Sequence, residues 1–257
     1  VIDQYALITG AGRRIGRQLA LDLAADGWAV AIHYSRSRED AETVVEQIAK
    51  AGGRAVAVSA ELTRDDEVLT LVERSSKALG GPLTCLINNA SSFEQDELLS
   101  LTAASWDLHM AVNLKAPVLL AQAFALQLPD GAVGNIVNII DQRVWRLSPD
   151  FFSYTLAKSA LWTATRTMAQ ALAPRIRVNA IGPGPVLQSI HQSPADFALE
   201  AAATPLARGT APAEISTALR FLLAAPALTG QMIALDGGQH LEWRSSPGSA
   251  RNGTDKA

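Results

Sequence analysis

The chain has 257 residues, 48% of them hydrophobic and 18% charged, with 22 Lys and Arg against 25 Asp and Glu. That apolar share suits a folded globule and excludes general disorder, and the near-neutral balance leaves no electrostatic footprint for nucleic acid. Cys85 is the only cysteine, which excludes an intrachain disulfide and fits a reducing compartment, the cytoplasm; no uninterrupted apolar run reaches the roughly 18 residues of a membrane span.

Tyr5–Ile8 reads as a strand, with no basic-then-apolar stretch before it of the kind that directs secretion, and it ends at a glycine-rich turn. Ile15, Leu19 and Leu23 recur every four residues and line one face of a helix that stops at Gly27. Trp28–Ile32 reads as a second strand, and a polar helix over Arg38–Ala51 is closed by Gly52 and Gly53. The alternation repeats with Arg54–Val58 (strand), Asp65–Leu79 (helix) and Leu83–Ile87 (strand). Later strands are predicted at Gly134–Ile140, Ile176–Ala180 and Met232–Leu235, and helices at Thr102–Leu114, Pro117–Leu128, Ser153–Leu172 and Pro212–Leu223. Strands alternating with helices imply parallel pairing with crossover helices on both faces. The strand runs are apolar at both alternating positions, as burial on two sides demands. One domain is expected over residues 1–243. Its one long internal connection, 184–205, is read as a substrate loop, and the polar segment 244–257 as a mobile tail.

The first strand runs into Thr9-Gly10-Ala11-Gly12-Arg13-Arg14-Ile15-Gly16. Gly10 and Gly12 permit a tight turn with the backbone close to a ligand, Gly16 lets helix and strand approach, and N–H groups at the helix start point at an anion. In this context the pattern predicts a dinucleotide site. The second strand ends in His33-Tyr34-Ser35-Arg36-Ser37-Arg38, with no carboxylate before Glu39. An acidic side chain there accepts from the ribose of NAD, whereas a cation suits the extra phosphate of NADP. Arg36 can pair with that phosphate and Ser37 can donate to it, with Arg13 as a second cation, so NADPH is expected over NADH.

Tyr154 and Lys158 lie four residues apart at the start of a predicted helix, so phenol and ammonium are neighbours. A nearby cation favours the phenolate and lowers the phenol's pKa, which lets it exchange a proton near neutral pH. Thr9-Gly10 to Gly16, Asn88-Asn89-Ala90, Asn113, Tyr154 with Lys158, and Gly182-Pro183-Gly184 stand in the order of the short-chain dehydrogenase/reductases, which the chain resembles from Tyr5 to about Leu241. That resemblance implies a single-domain α/β fold, a Rossmann-type doubly wound parallel sheet with helices on both faces. It implies hydride transfer from nicotinamide, with Tyr154 as proton donor, Lys158 lowering its pKa and holding the ribose, and Asn113 supporting a proton-relay water. The cofactor set it implies is Gly10, Gly12, Arg13, Arg14, Ile15, Gly16, Tyr34, Arg36, Ser37, Glu61, Leu62, Asn88, Asn89, Ala90, Ser91, Tyr154, Lys158, Pro183 and Gly184. No metal is expected, and a homotetramer is.

Two departures narrow the resemblance. Arg14 stands where most of the family carries the middle glycine, and Asp141 stands where the catalytic serine usually lies, 13 residues before Tyr154. Both match the pteridine reductases and the bacterial dihydromonapterin reductases, as do Asn89-Ala90-Ser91-Ser92-Phe93 and Asp236-Gly237-Gly238-Gln239-His240-Leu241. A serine hydroxyl donates to a carbonyl oxygen; an ionised Asp141 cannot, but accepts well from the N–H donors of an aminopterin. In a dry site Asp141 is instead protonated and acts as an acid toward a ring nitrogen. Arg14 offers fork-shaped donors to a ring carbonyl or to the pyrophosphate, and Ser91 binds phosphate or ring nitrogen. Phe93 is either a flat face for a flat heterocycle or a lid hydrophobe. With Tyr154 and Gly184 these form the expected substrate set for an NADPH-dependent dihydropterin reductase. A carbonyl reductase with Asp141 incidental, and a non-catalytic NADPH-binding sensor, are the other readings. In pteridine reductases a neighbour's C-terminus can reach the active site, and His240 to Arg244 is the candidate segment for this.

Overall fold

The structure, a computed structural model, describes residues 4–189 and 192–241. The segment 244–257, and most of 240–244, lie outside them. Among the described residues seven strands form one parallel sheet: β1 (Tyr5–Ile8), β2 (Ala29–Tyr34), β3 (Arg54–Ser59), β4 (Cys85–Asn88), β5 (Gly134–Ile139), β6 (Ile176–Pro183) and β7 (Met232–Leu235), in the order β3-β2-β1-β4-β5-β6-β7. The helices are α1 (Arg14–Ala25), α2 (Arg38–Lys50), α3 (Asp65–Leu79), α4 (Ala103–Met110), α5 (Ala116–Gln127), α6 (Phe152–Leu172), α7 (Pro194–Ala203) and α8 (Pro212–Ala224).

Side chains of a strand alternate between faces, and here both faces are buried. Tyr5 and Leu7 of β1 enter a core completed by α3, α5 and α6, while Ala6 and Ile8 enter a second core with α1, α2 and α8. Leu19 and Leu23 of α1 fill that second core, as their spacing predicts. This is the expected Rossmann-type doubly wound sheet. The chain winds outward from β1 to β3 and returns to pair β4 with the other side of β1. That reversal opens a crevice at the carboxyl ends of β1 and β4, the usual ligand position in such sheets.

Three local expectations are corrected. The helices predicted as Thr102–Leu114 and Pro117–Leu128 are one 25-residue helix, because a π-helical turn at Ala111–Lys115 joins α4 to α5. Proline inside an α-helix loses one bond and clashes with a carbonyl of the preceding turn; the wider turn brings Pro117 to the start of α5 and lets the helix run on. By length and composition this helix could cross a bilayer, yet Val112, Ala116, Leu120, Ala121 and Phe124 are buried in the core over the sheet. The connection 184–205 contains α7. Ser193 caps it, with Pro194 in the first turn and Asp196 closing a capping box. Finally, β2 and β6 run on to Tyr34 and Pro183, because their ends pair with β3 and β7.

Candidate active site

The glycine turn follows β1 directly. Gly10 has φ +63°, and a Cβ on Gly16 would sit 2.4 Å from the Gly10 carbonyl oxygen and 2.5 Å from Asn89 Nδ2. Glycine is therefore required at both. Buried His33 steadies the turn from the end of β2: its Nδ1 accepts from Gly10 N at 3.0 Å, so Nε2 carries the proton and donates to the Ala60 carbonyl, also at 3.0 Å. Burial lowers the His33 pKa to about 4, which keeps this ring neutral. Thr9 Oγ1 accepts from Asn89 N and Ala90 N, each at 2.9 Å, and Asn89 Nδ2 donates to the Thr9 and Gly10 carbonyls. Asn89 thus acts on the turn itself. Asn88 is buried in the sheet, where its Nδ2 donates to Asn138 Oδ1 and its Oδ1 lacks a partner.

Of the basic residues near this crevice, Arg36 is exposed beyond the end of β2, and half-buried Ser37 stands at the start of α2 without capping it. Arg13 pairs with Asp40 of α2. Tyr34 is half-buried and Leu62 buried on the same side. Glu61 accepts from Ser35 Oγ at 2.8 Å. Burial would raise its carboxyl, but bonds from Ser35 and Thr63 and the charge of Arg36 bring it below the usual value. Arg14 adopts φ +52°, a left-handed conformation that costs a non-glycine residue about 1–2 kcal/mol. Its guanidinium donates to the Leu187 and Gln188 carbonyls at 2.9 and 2.7 Å. The residue in the place of a glycine therefore ties the cofactor turn to the loop after β6. Gly184, at the root of that loop beyond buried Pro183, donates its N–H to the Leu235 carbonyl at 3.0 Å.

At the carboxyl end of β5, Asp141 faces Tyr154 of α6: its Oδ2 accepts from the phenol at 2.8 Å, and its Oδ1 accepts from Arg143 N at 2.8 Å. Lys158, 2% exposed, donates to the Ile139 carbonyl at 2.8 Å, with its Nζ 5.7 Å from the centre of the Tyr154 ring. Burial pushes the Asp141 carboxyl up, against the Arg143 amide and guanidinium, the Tyr154 hydroxyl and the Lys158 charge. Burial also lowers Lys158 to about 8, with Asp141 pulling it back. The expected lowering of Tyr154 by Lys158 is corrected. Burial, then the charge and hydrogen bond of Asp141, raise the phenol well above its ordinary value, and Arg143 and Ser91 only partly oppose this. The protein alone thus holds Tyr154 protonated, with its hydroxyl donating to the Asp141 carboxyl.

Phe93 lies in the same cluster. Its ring stacks on Phe151 at 4.1 Å and meets the Tyr154 ring edge-on at 4.8 Å. Arg143 covers Phe151 at 5.1 Å. Arg143 and Phe151 carry no motif, and only their nearness in the fold marks them. Asn113 is fully buried in the π-helical turn, and its side chain is committed to the segment after β4: Oδ1 accepts from Ser91 Oγ and Ser92 N, and Nδ2 donates to the Ser92 carbonyl. Its amide therefore anchors the loop that carries Ser91 and Phe93. A water relay there would fall to its main chain, whose bonding the π turn rearranges.

Residues 10–240 match the profile of the family described as enoyl-(acyl carrier protein) reductase. A 3-oxoacyl-[acyl-carrier-protein] reductase of Synechocystis sp. is 34% identical over 240 residues, covering 91% of this chain and 96% of the relative. Among solved structures, the FolM alternative dihydrofolate reductase 1 of Brucella suis, in complex with NADP, superposes with a TM-score of 0.92 at 50% identity, over 95% of this chain and 97% of that one. The angucycline C-6 ketoreductase LanV with bound NADP has a TM-score of 0.87 at 33% identity, over 93% of this chain and 96% of its own. With a family match spanning nearly the whole fold, and the glycine turn, Tyr154 and Lys158 gathered in one crevice, the chain belongs to the short-chain dehydrogenase/reductases.

Proposed function

We propose that this protein is an NADPH-dependent reductase of a dihydropterin, of the dihydromonapterin, dihydrobiopterin or dihydrofolate type. The observation that carries the reading is the 2.8 Å contact between Asp141 and the Tyr154 hydroxyl, a carboxyl where a carbonyl reductase has a hydroxyl donor. Likeness to the Brucella suis enzyme at 50% identity, named as a dihydrofolate reductase, supports it. When bound, NADPH supplies the hydride. The crevice fits it: backbone amides of the Gly10–Gly16 turn suit the pyrophosphate, Arg36 with Ser37 the additional phosphate, and Lys158 the nicotinamide ribose. The solved relatives that hold NADP support this cofactor.

In this reading the pterin ring lies against Phe93, and its N–H donors meet Asp141. The raised Asp141 carboxyl passes a proton through a water to N5 as hydride reaches C6 of the dihydropterin's N5=C6 bond; Tyr154 would serve N8 of the C7=N8 bond that only a fully oxidised pterin has. Arg14 and Ser91 border the ring, and Gly184 lets the loop approach it. Incubating the enzyme and NADPH with each of the three dihydropterins should consume the nicotinamide absorbance with at least one. No oxidation with any of them removes the assignment. A carbonyl reductase is the second reading, favoured by the 34% identical 3-oxoacyl-[acyl-carrier-protein] reductase. A panel of ketones and keto-esters separates the two.

Arg36→Ala is expected to raise the NADPH KM by about 10- to 100-fold, the worth of one charge-assisted bidentate contact, and to leave the NADH KM nearly unchanged. Equal effects on both cofactors would remove Arg36 from the phosphate site. The proposal extends to a cytoplasmic homotetramer assembled through the 103–127 helix and α6, on which Trp106, Val118 and Leu156 are apolar and partly exposed. Sedimentation should return four times the chain mass.

A further inference from the structure

Asp96, His109 and Ser153 form a buried array beside the reaction centre, each at most 4% exposed. α6 begins without a cap of its own, because Phe151 at that position has φ +54° and no side-chain acceptor to offer. Asp96 supplies the cap from 57 residues upstream: its carbonyl accepts from Phe152 N at 3.1 Å and its Oδ1 from Ser153 N at 3.0 Å. Its Oδ2 accepts from the hydroxyls of Ser153 and, at 2.6 Å, Ser105. A carboxylate at a helix start is favoured by the unpaired N–H groups there. Because the single Ser153 hydroxyl proton goes to Asp96, Ser153 Oγ accepts from His109 Nδ1 at 2.6 Å. Nε2 of the same ring is then an acceptor, and Glu94 N donates to it at 3.0 Å. Burial, against the charges of Asp96 and Glu94, keeps the imidazole below its ordinary pKa and neutral.

The three residue types are those of a hydrolytic triad, but the connections are not. Asp96 bonds the serine rather than the second ring nitrogen, which Glu94 already occupies, and Ser153 is fully buried. What the array joins is more telling. One imidazole holds the segment that carries Phe93, through Glu94, and the helix start that carries Tyr154, through Ser153. Its own ring meets Tyr154 edge-on at 6.0 Å.

We propose that His109 is a positioning residue, which with Ser153 and Asp96 holds the Phe93 segment against Tyr154 and so sets affinity for the substrate without touching it. The role goes beyond the dihydropterin assignment and applies equally to a ketone. His109→Gln keeps an acceptor near the Nε2 position for Glu94, whereas His109→Asn keeps a donor near the Nδ1 position for Ser153 and loses Glu94.

The test measures amide hydrogen exchange over residues 91–97 in the NADPH-bound full chain, together with KM and kcat for dihydrobiopterin. In His109→Asn, exchange of this segment should quicken about tenfold and KM rise about tenfold, the worth of one lost hydrogen bond, with the NADPH Kd within about twofold. His109→Gln, which keeps the Glu94 bond and gives up the one to Ser153, should fall between wild type and His109→Asn in both. Unchanged exchange in His109→Asn overturns the proposal, as does an equal loss of substrate and NADPH affinity in both variants. If His109→Asn does not fold, Ser153→Ala, which keeps the backbone cap, takes its place: faster exchange at 91–97 supports the role and unchanged exchange overturns it. Failure of the wild type to reduce any of the three dihydropterins would sink the substrate assignment and leave the exchange measurement standing.

Discussion

Asp141→Asn is expected to lower kcat/KM for a dihydropterin by about 10²-fold or more, within the usual worth of a positioned proton-transfer group. The amide preserves shape and burial but holds no exchangeable acid proton, and it presents donors where an aminopterin also presents donors. It also leaves one acceptor for the two donors, the Tyr154 hydroxyl and Arg143 N, that the carboxylate serves. Asp141→Ser should lose pterin turnover to a similar degree while gaining reduction of simple ketones, since a hydroxyl in that place donates to a carbonyl oxygen that is gaining charge. Steady-state kinetics of both variants on a dihydropterin and a ketone decide the matter. Undiminished pterin turnover in Asp141→Asn would leave the carboxyl incidental and favour the carbonyl reductase.

Lys158→Met should abolish most activity, a loss of about 10³-fold in kcat/KM for NADPH if the ammonium both holds the ribose and supports Tyr154. It should nonetheless fold at least as stably as the wild type. The buried ammonium of the free enzyme has its pKa lowered to about 8 from 10.5. Because the folded value lies below the unfolded one, the penalty is present in full below pH 8 and fades as pH rises from about 8 to 10.5. At pH 7 it is about 3 kcal/mol, partly offset by the hydrogen bond to the Ile139 carbonyl that methionine gives up. Denaturant midpoints at pH 7 measure this, and a clearly destabilised Lys158→Met contradicts it. The same titration predicts that wild-type kcat/KM for NADPH, which reports the free enzyme, declines as pH rises through about 8.

Much of the fold is legible in local pattern. A strand buried on both faces is apolar at every position, and a helix covering it repeats its apolar residues every three or four. Among the described residues all seven strands and every helix but α7 can be read that way, with α4 and α5 read as separate, because each depends on neighbours within a turn or two. α7 escaped because its alanine-rich run has no clear apolar face and lies among prolines, although Ser193-Pro194-Ala195-Asp196 is a start signal. The π-helical turn escaped because proline reads as a stop, and only packing against α3 and α6 carries the helix past it.

By itself the sequence determined the glycine turn, the Tyr154–Lys158 pair on one helix, and the carboxyl in place of a serine: covalent order and helical pitch suffice for these. Only the tertiary structure decided which polar atoms meet. It brought the Arg14 guanidinium to the Leu187 and Gln188 carbonyls, Phe93 onto Phe151, and His109 between Glu94 and Ser153. It also reversed the expected shift of Tyr154. Spacing along a helix counts the nearby cation, but desolvation and a carboxylate arriving from another element enter only once the chain has closed around them.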